Sequence, residues 1–318
     1  MRLGYFLASE EHPPQERVRQ ARRAEQAGFP GLWISDHFHP WMESQGQSAF
    51  VWSVIGAIAQ ATERIALTTG VTCPTLRMHP AINAHAAATA AVMLPGRFAF
   101  GVGSGEALNE HVLGTHWPEA DVRLEMLEEA IEVIRLLWQG GQHSHRGRHY
   151  TVENARLYTL PDEPPPILVS GFGPKSAALA GRIGDGYVIT FPSEDLIGTF
   201  RQAGGEGKPI QAGMKVCYGE DEAAARATAH ELWRNESLPG ELAQVLPTPA
   251  HFEQASELVT EEMVAANVPC GPDLEAHLEK FEQFAQVGVD ELYIQQIGPD
   301  QEAFFSVYER EILPRFAS

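Results

Sequence analysis

The sequence predicts a closed (β/α)8 barrel. Short apolar runs of strand length alternate with amphipathic stretches of helix length along the chain, and the alternation reaches eight. An open doubly wound sheet rarely holds eight such units. A barrel of about 250 residues plus insertions accounts for the 318 residues as a single (β/α)8 domain spanning 1–318. The runs are almost continuously apolar, as strands covered on both faces require.

Leu3 to Leu7 (LGYFL) is the first expected strand, and 14–27 (PQERVRQARRAEQA) the first helix. The second strand is GLWIS, ending at Ser35, with a helix over 50–62. The third runs from Ile65 to Gly70, before the Ala-rich helix 79–94. The fourth is Arg97 to Val102. A long helix, LEMLEEAIEVIRLLW, follows residue 120 and ends near Gly140. Residues 140–162 read as a first insertion with an irregular or hairpin form. Ile167 to Ser170 and Tyr187 to Thr190 are the fifth and sixth strands, with helices over 174–183 and 194–203. Residues 210–218 make the seventh strand, before the helix 221–234. Residues 235–270, irregular and partly helical, read as a second insertion. Helix 272–286, strand Glu291 to Gln295 and helix 301–313 close the count.

The charge balance, 23 basic against 42 acidic residues, gives −19 and repels nucleic acid and anionic lipid. Neither is an expected partner. Three widely spaced cysteines, Cys73, Cys217 and Cys270, fit a reducing compartment, and cytoplasm is the expected location. No run of about 20 apolar residues is present, so no membrane span is expected.

A barrel of this kind places its site at the C-terminal ends of the strands. After the second strand stands Ser35-Asp36-His37-Phe38-His39-Pro40-Trp41. His37 is a candidate general base near neutral pH, Asp36 a carboxylate to orient it or meet a cofactor, and Trp41 a wall for a ring. The two histidines at i and i+2 also suit a metal, as in barrel metallohydrolases. The fifth and sixth strand ends offer no further histidine, and the expected metal set is none. After the third strand, Gly70 permits close backbone approach. After the fourth comes GVGSGEALNE, whose glycines and Glu106 suit a planar or anionic ligand. It is neither a dinucleotide fingerprint nor a Walker motif. After the fifth, Gly171, Gly173 and Pro174 open a helix whose N–H groups, with Lys175, suit a phosphate. No GxSxG elbow occurs, which weakens a hydrolase reading.

Together, SDHFHPW, TTGVTCPT, GVGSGEALNE and GFGPKSAALAGRIGDGY resemble the luciferase-like superfamily. The branch they most resemble contains deazaflavin-dependent glucose-6-phosphate and secondary-alcohol dehydrogenases. The resemblance implies a (β/α)8 barrel, a homodimer, and coenzyme F420 exchanging a hydride with a substrate carbinol carbon. It implies that His37 takes the hydroxyl proton, that Glu106 protonates the reduced ring, and that Trp41 packs over the reaction centre. Asp36, Ser104, Gly105 and Asn109 are implied to line the cofactor, and Gly70–Val71 to be a non-proline cis peptide.

The sequence departs from that branch where a sugar phosphate is held. Thr190-Phe191-Pro192-Ser193-Glu194-Asp195 and Glu261-Glu262-Met263-Val264-Ala265-Ala266-Asn267 carry acids and no lysine. The expected substrate is therefore a small neutral alcohol or carbonyl compound. Two alternatives remain: an FMN-dependent monooxygenase or flavin reductase, and a flavin-binding barrel without catalysis. Arg77 and Lys175 are the basic candidates for an anionic cofactor tail.

Overall fold

A computed structural model describes residues 1–316. Eight parallel strands close into a barrel: β1 (Arg2–Leu7), β2 (Gly31–Ile34), β3 (Ala66–Thr69), β4 (Phe98–Val102), then β7 (Ile167–Ser170), β8 (Gly186–Ile189), β9 (Ile210–Val216) and β10 (Glu291–Gln296). The ring closes where β1 pairs β10, with Arg2 opposite Glu291 and Tyr5 opposite Ile294. The remaining two strands, β5 (His143–Arg146) and β6 (Thr151–Ala155), form an antiparallel hairpin inside the first expected insertion. The Glu129 carboxylate holds its turn by accepting from the His149 and Tyr150 amides.

Helices wrap the barrel: α1 (Pro14–Ala27), α2 (Val51–Ala61), α3 (Pro80–Met93), the single turn α4 (Ala107–Glu110), α5 (Ala120–Trp138), α6 (Pro174–Ile183), α7 (Glu194–Phe200) and α8 (Glu222–Trp233). Short helices α9 (Leu242–Val245), α10 (Pro249–Ala255) and α11 (Glu261–Ala265) build the second insertion. α12 (Leu274–Gln286) and α13 (Gln301–Val307) complete the wrap. The ends follow local chemistry. Proline opens α1, and Gly28, at φ 96°, closes it while Phe29 N–H returns to the Ala24 carbonyl. The Asp221 carboxylate caps α8 through the Ala223 and Ala224 amides.

The barrel interior is filled. Trp33 and Tyr293 stack with centroids 4.9 Å apart, and Leu168 and Val188 complete that layer. A side chain at Gly4 would run into the Tyr293 ring, and one at Gly213 into Trp33, so these two positions make room for the aromatic pair. The larger core lies between strands and helices, from Leu32 and Ile34 to Phe304 and Tyr308. With its lower part plugged, the barrel leaves its C-terminal mouth for a ligand.

Candidate active site

The ends of β1 and β2 are neighbours in the ring and place the acid Glu10 beside His37. Ser35 Oγ donates to Glu10 Oε2 at 3.1 Å. Glu10 Oε1 lies 3.3 Å from His37 Nδ1, at ion-pair distance though off the hydrogen-bonding direction. Glu10 is buried, so its carboxylate stabilises positive charge on the imidazole far better than a surface acid does. The Trp41 indole meets the His37 ring edge-on, with centroids 4.8 Å apart. Behind Trp41 stands Phe252 of α10, at 5.2 Å, so the second insertion backs the wall of the site.

The neighbouring Glu11 makes a different attachment. It accepts from Trp233 Nε1 at 2.5 Å, Gln295 Nε2 at 2.9 Å and the Gly298 amide at 2.8 Å. Burial pushes its carboxyl up to about 7 against these bonds.

Asp36 and Glu110 share one arginine. Arg77 reaches Asp36 Oδ1 at 2.9 Å and Glu110 Oε1 at 3.4 Å, and its amide donates to Glu110 Oε2 at 2.8 Å. Burial pushes Glu110 up to about 7, and Arg77 pulls it back only in part. Arg77 is thus committed inside the mouth. Asn109 accepts the Phe38 and His39 amides on Oδ1, so it also braces the loop that carries His37. His39 turns its Nδ1 to the Leu108 carbonyl. Among the described residues no cluster of three or more His, Cys, Asp or Glu is suited to hold a metal.

β3 and β4 supply the floor. Gly70–Val71 is cis. Thr72 and Val102 form a bridge beyond β3, and a side chain at Gly101 would collide with the Thr69 carbonyl. Gly105 has φ 79°, and a Cβ there would sit 2.6 Å from Cys73 Sγ, so glycine is required twice over. Ser104 and Gly105 are half-buried, and Glu106, also half-buried, begins α4.

On β7 the expected phosphate cradle is partly occupied by protein. The Gly173 amide is bonded to Ser176 Oγ at 3.1 Å, and the exposed Lys175 pairs with Asp121 at 2.7 Å. Gly171 is buried, with its carbonyl taking the Tyr187 hydroxyl. Pro174 opens α6 as expected.

Four site residues lie outside those that the strand-end motifs single out: Glu10, Glu11, Arg77's partner Glu110, and Gln295. The acidic pair three residues beyond LGYFL carries the signal, since a closed barrel brings its first strand to the second. Besides His37 Nδ1 and Gln295 Oε1, three side-chain atoms around the mouth are buried and without a partner: Asp36 Oδ2, Thr72 Oγ1 and Asn109 Nδ2. One acceptor, one donor and one hydroxyl around a glycine-lined floor fit a planar heterocycle with N–H and C=O groups on its edge.

The chain matches the family model described as luciferase-like monooxygenase over residues 1–291. It is 34% identical to an F420-dependent glucose-6-phosphate dehydrogenase of Beutenbergia cavernae, over 99% of this chain and 97% of that protein. It is 36% identical to an F420-dependent hydroxymycolic acid dehydrogenase of Mycobacterium tuberculosis, over 98% of this chain and 87% of that one. Its fold superposes on an F420-dependent secondary alcohol dehydrogenase solved with an F420–acetone adduct at a TM-score of 0.93. The identity there is 31%, with 100% of this chain and 99% of that one covered. The chain therefore belongs to the luciferase-like family of (β/α)8-barrel oxidoreductases.

Proposed function

We propose that the chain is an F420-dependent dehydrogenase or reductase that interconverts a neutral alcohol and its carbonyl compound. The observation that carries this reading is His37, set between the buried Glu10 carboxylate and the Trp41 ring at the mouth that the unpartnered Asp36, Thr72 and Asn109 atoms surround. Asp36, Asn109, Thr72 and the Gly101–Gly105 turn are the groups that would hold the ring. Gly171, Gly173 and the start of α6 adjoin them on the next strand. When bound, the deazaflavin supplies a two-electron carbon acceptor for hydride.

The chain's own groups do the rest. His37 takes the hydroxyl proton in the oxidative direction and returns it in the reductive one, and Glu10 stabilises the imidazolium in between. Trp41 excludes water from that exchange and gives the substrate an apolar surface. Glu106, on the turn after β4, two strands from β2, and half-buried, exchanges the second proton.

The substrate reading rests on the rim. Thr190–Asp195 and 261–267 carry acids and no lysine of their own, Lys280 Nζ is taken up by the Ala266 carbonyl, and the exposed Phe172 and Phe191 rings stand 6.0 Å apart at the first of these segments. Such a rim suits an uncharged substrate with apolar substituents and repels a phosphate dianion.

The test is a titration with coenzyme F420 and separately with FMN, then a substrate screen with the preferred cofactor. The expected result is tighter binding of F420, and kcat/KM at least about 10-fold higher for neutral secondary alcohols than for glucose 6-phosphate. Preference for FMN would shift the reading to a flavin reductase or monooxygenase. Turnover of the sugar phosphate in preference to neutral alcohols would sink the substrate assignment.

A further inference from the structure

Arg17 of α1 is fully buried, yet among the described residues no carboxylate lies within ion-pair distance of it. Among the described residues the only hydrogen bond of its guanidinium runs from NH1 to Ser9 Oγ at 2.5 Å, and the Nε and NH2 atoms have no acceptor there. A buried guanidinium in that position is costly to maintain. It is held where its field falls on something useful.

A continuous path leads from it to the base. Ser9 Oγ donates to the Ser35 carbonyl at 2.5 Å, and Ser35 Oγ accepts the Ser9 amide at 2.9 Å. The same Ser35 Oγ donates to Glu10 Oε2, and Glu10 Oε1 faces His37 Nδ1. The groups facing the Glu10–His37 pair are Glu11 and His12 on the turn after β1, Arg17 on α1, and Ser35 and Trp41 from the β2 side, with Glu16 of α1 facing His12 behind them. Glu16 is paired to Arg19. Burial holds His12 down at about 4 and Glu11 up at about 7. Between those values both are neutral, and Arg17 is the cation left beside Glu10.

We infer that Arg17 is a positioning residue that, through Ser9, Ser35 and Glu10, opposes uptake of an extra proton by the Glu10–His37 pair and so favours the base form of His37. The inference rests on the reading of His37 as the base of this site. Its sign is fixed by charge alone. Removing a cation beside the pair makes the added proton more tightly held, whichever partner carries it.

The test is a proton NMR titration of the histidine C–H resonances in the cofactor-free protein, with His37 assigned by its loss in His37→Ala. Arg17→Gln removes the charge and keeps a hydrogen-bonding amide, which ends two bonds short of the NH1 position. Arg17→Met replaces the charge by an apolar chain of similar length, a change that buried ions commonly tolerate, and it serves if the first variant does not fold. In either variant the His37 titration should move up by about one pH unit, and the acid limb of kcat/KM should move with it. Arg17→Lys should restore the wild-type midpoint. An unmoved or lowered midpoint in the neutral variants, or a lysine variant that titrates like them, overturns the role of Arg17. Full turnover in His37→Ala would instead overturn the reading of the base, and the NMR shift, measured without cofactor or substrate, separates the two.

Discussion

At the scale of single residues the division of labour is testable directly. His37→Ala and Glu106→Gln should each lower kcat by about 10²–10⁴-fold while the dissociation constant for coenzyme F420 stays within a factor of about three. Stopped-flow turnover and fluorescence titration check the two halves. A variant with full turnover removes its residue from the mechanism. These two residues, with Asp36 and Trp41, were legible because each follows a strand and belongs to a residue type with chemistry to offer. Arg17 was not, because it stands in a helix beside other charged residues. Yet Arg17, Ala21 and Ala24 fall on one helical stripe, and all three are buried. The stripe marks the position, although an arginine on a helix is ordinarily a solvent-facing residue. Glu110 was hidden for a similar reason, since only the fold brings Arg77 from the β3 loop against it.

At the scale of elements, two cross-connections hold the mouth together. Arg77 joins the loop after β3 to the ends of β2 and α4. Arg77→Met should leave Asp36 and Glu110 as uncompensated buried acids and lower unfolding stability by about 3–5 kcal/mol in chemical denaturation. An unchanged midpoint would show that the two carboxyls need no cation. Glu11 joins β1 to the last residue of α8 and to β10. Its raised pKa means the folded state holds a proton that the unfolded chain has released. The stability linked to it is fully present below about 4.5 and is lost as pH rises through about 7. Glu11→Gln should remove that dependence, so that wild type loses on the order of 2 kcal/mol relative to the variant across this interval. Parallel slopes for the two proteins would sink the assignment. The barrel elements were legible since strand and helix periods differ and alternate. The exceptions have local causes. The expected helix over 194–203 becomes π-helical at Arg201–Gly205, where Gly204 takes φ 106°, and the expected helix 301–313 likewise changes pitch at Tyr308–Ile312. The second insertion showed no period to read because α9, α10 and α11 are each seven residues or shorter.

At the scale of the whole molecule, a chain of net charge −19 must capture an anionic cofactor whose tail carries carboxylates. Long-range repulsion then slows the encounter, and salt relieves it. The association rate constant for coenzyme F420 should rise by a factor of about two or more between 20 and 200 mM salt. A fall would reveal a local positive funnel that outweighs the total charge. The encounter can be followed by light, because six tryptophans are spread through the chain and Trp41 alone meets the His37 ring among the described aromatic contacts. A protonated imidazole accepts an electron from an excited indole, and a neutral one does so poorly. The emission of Trp41, isolated as the difference from Trp41→Phe, is therefore a built-in optical indicator: it dims as His37 takes up a proton, and its half-point reads out the charge on that ring in real time without substrate, dye or label.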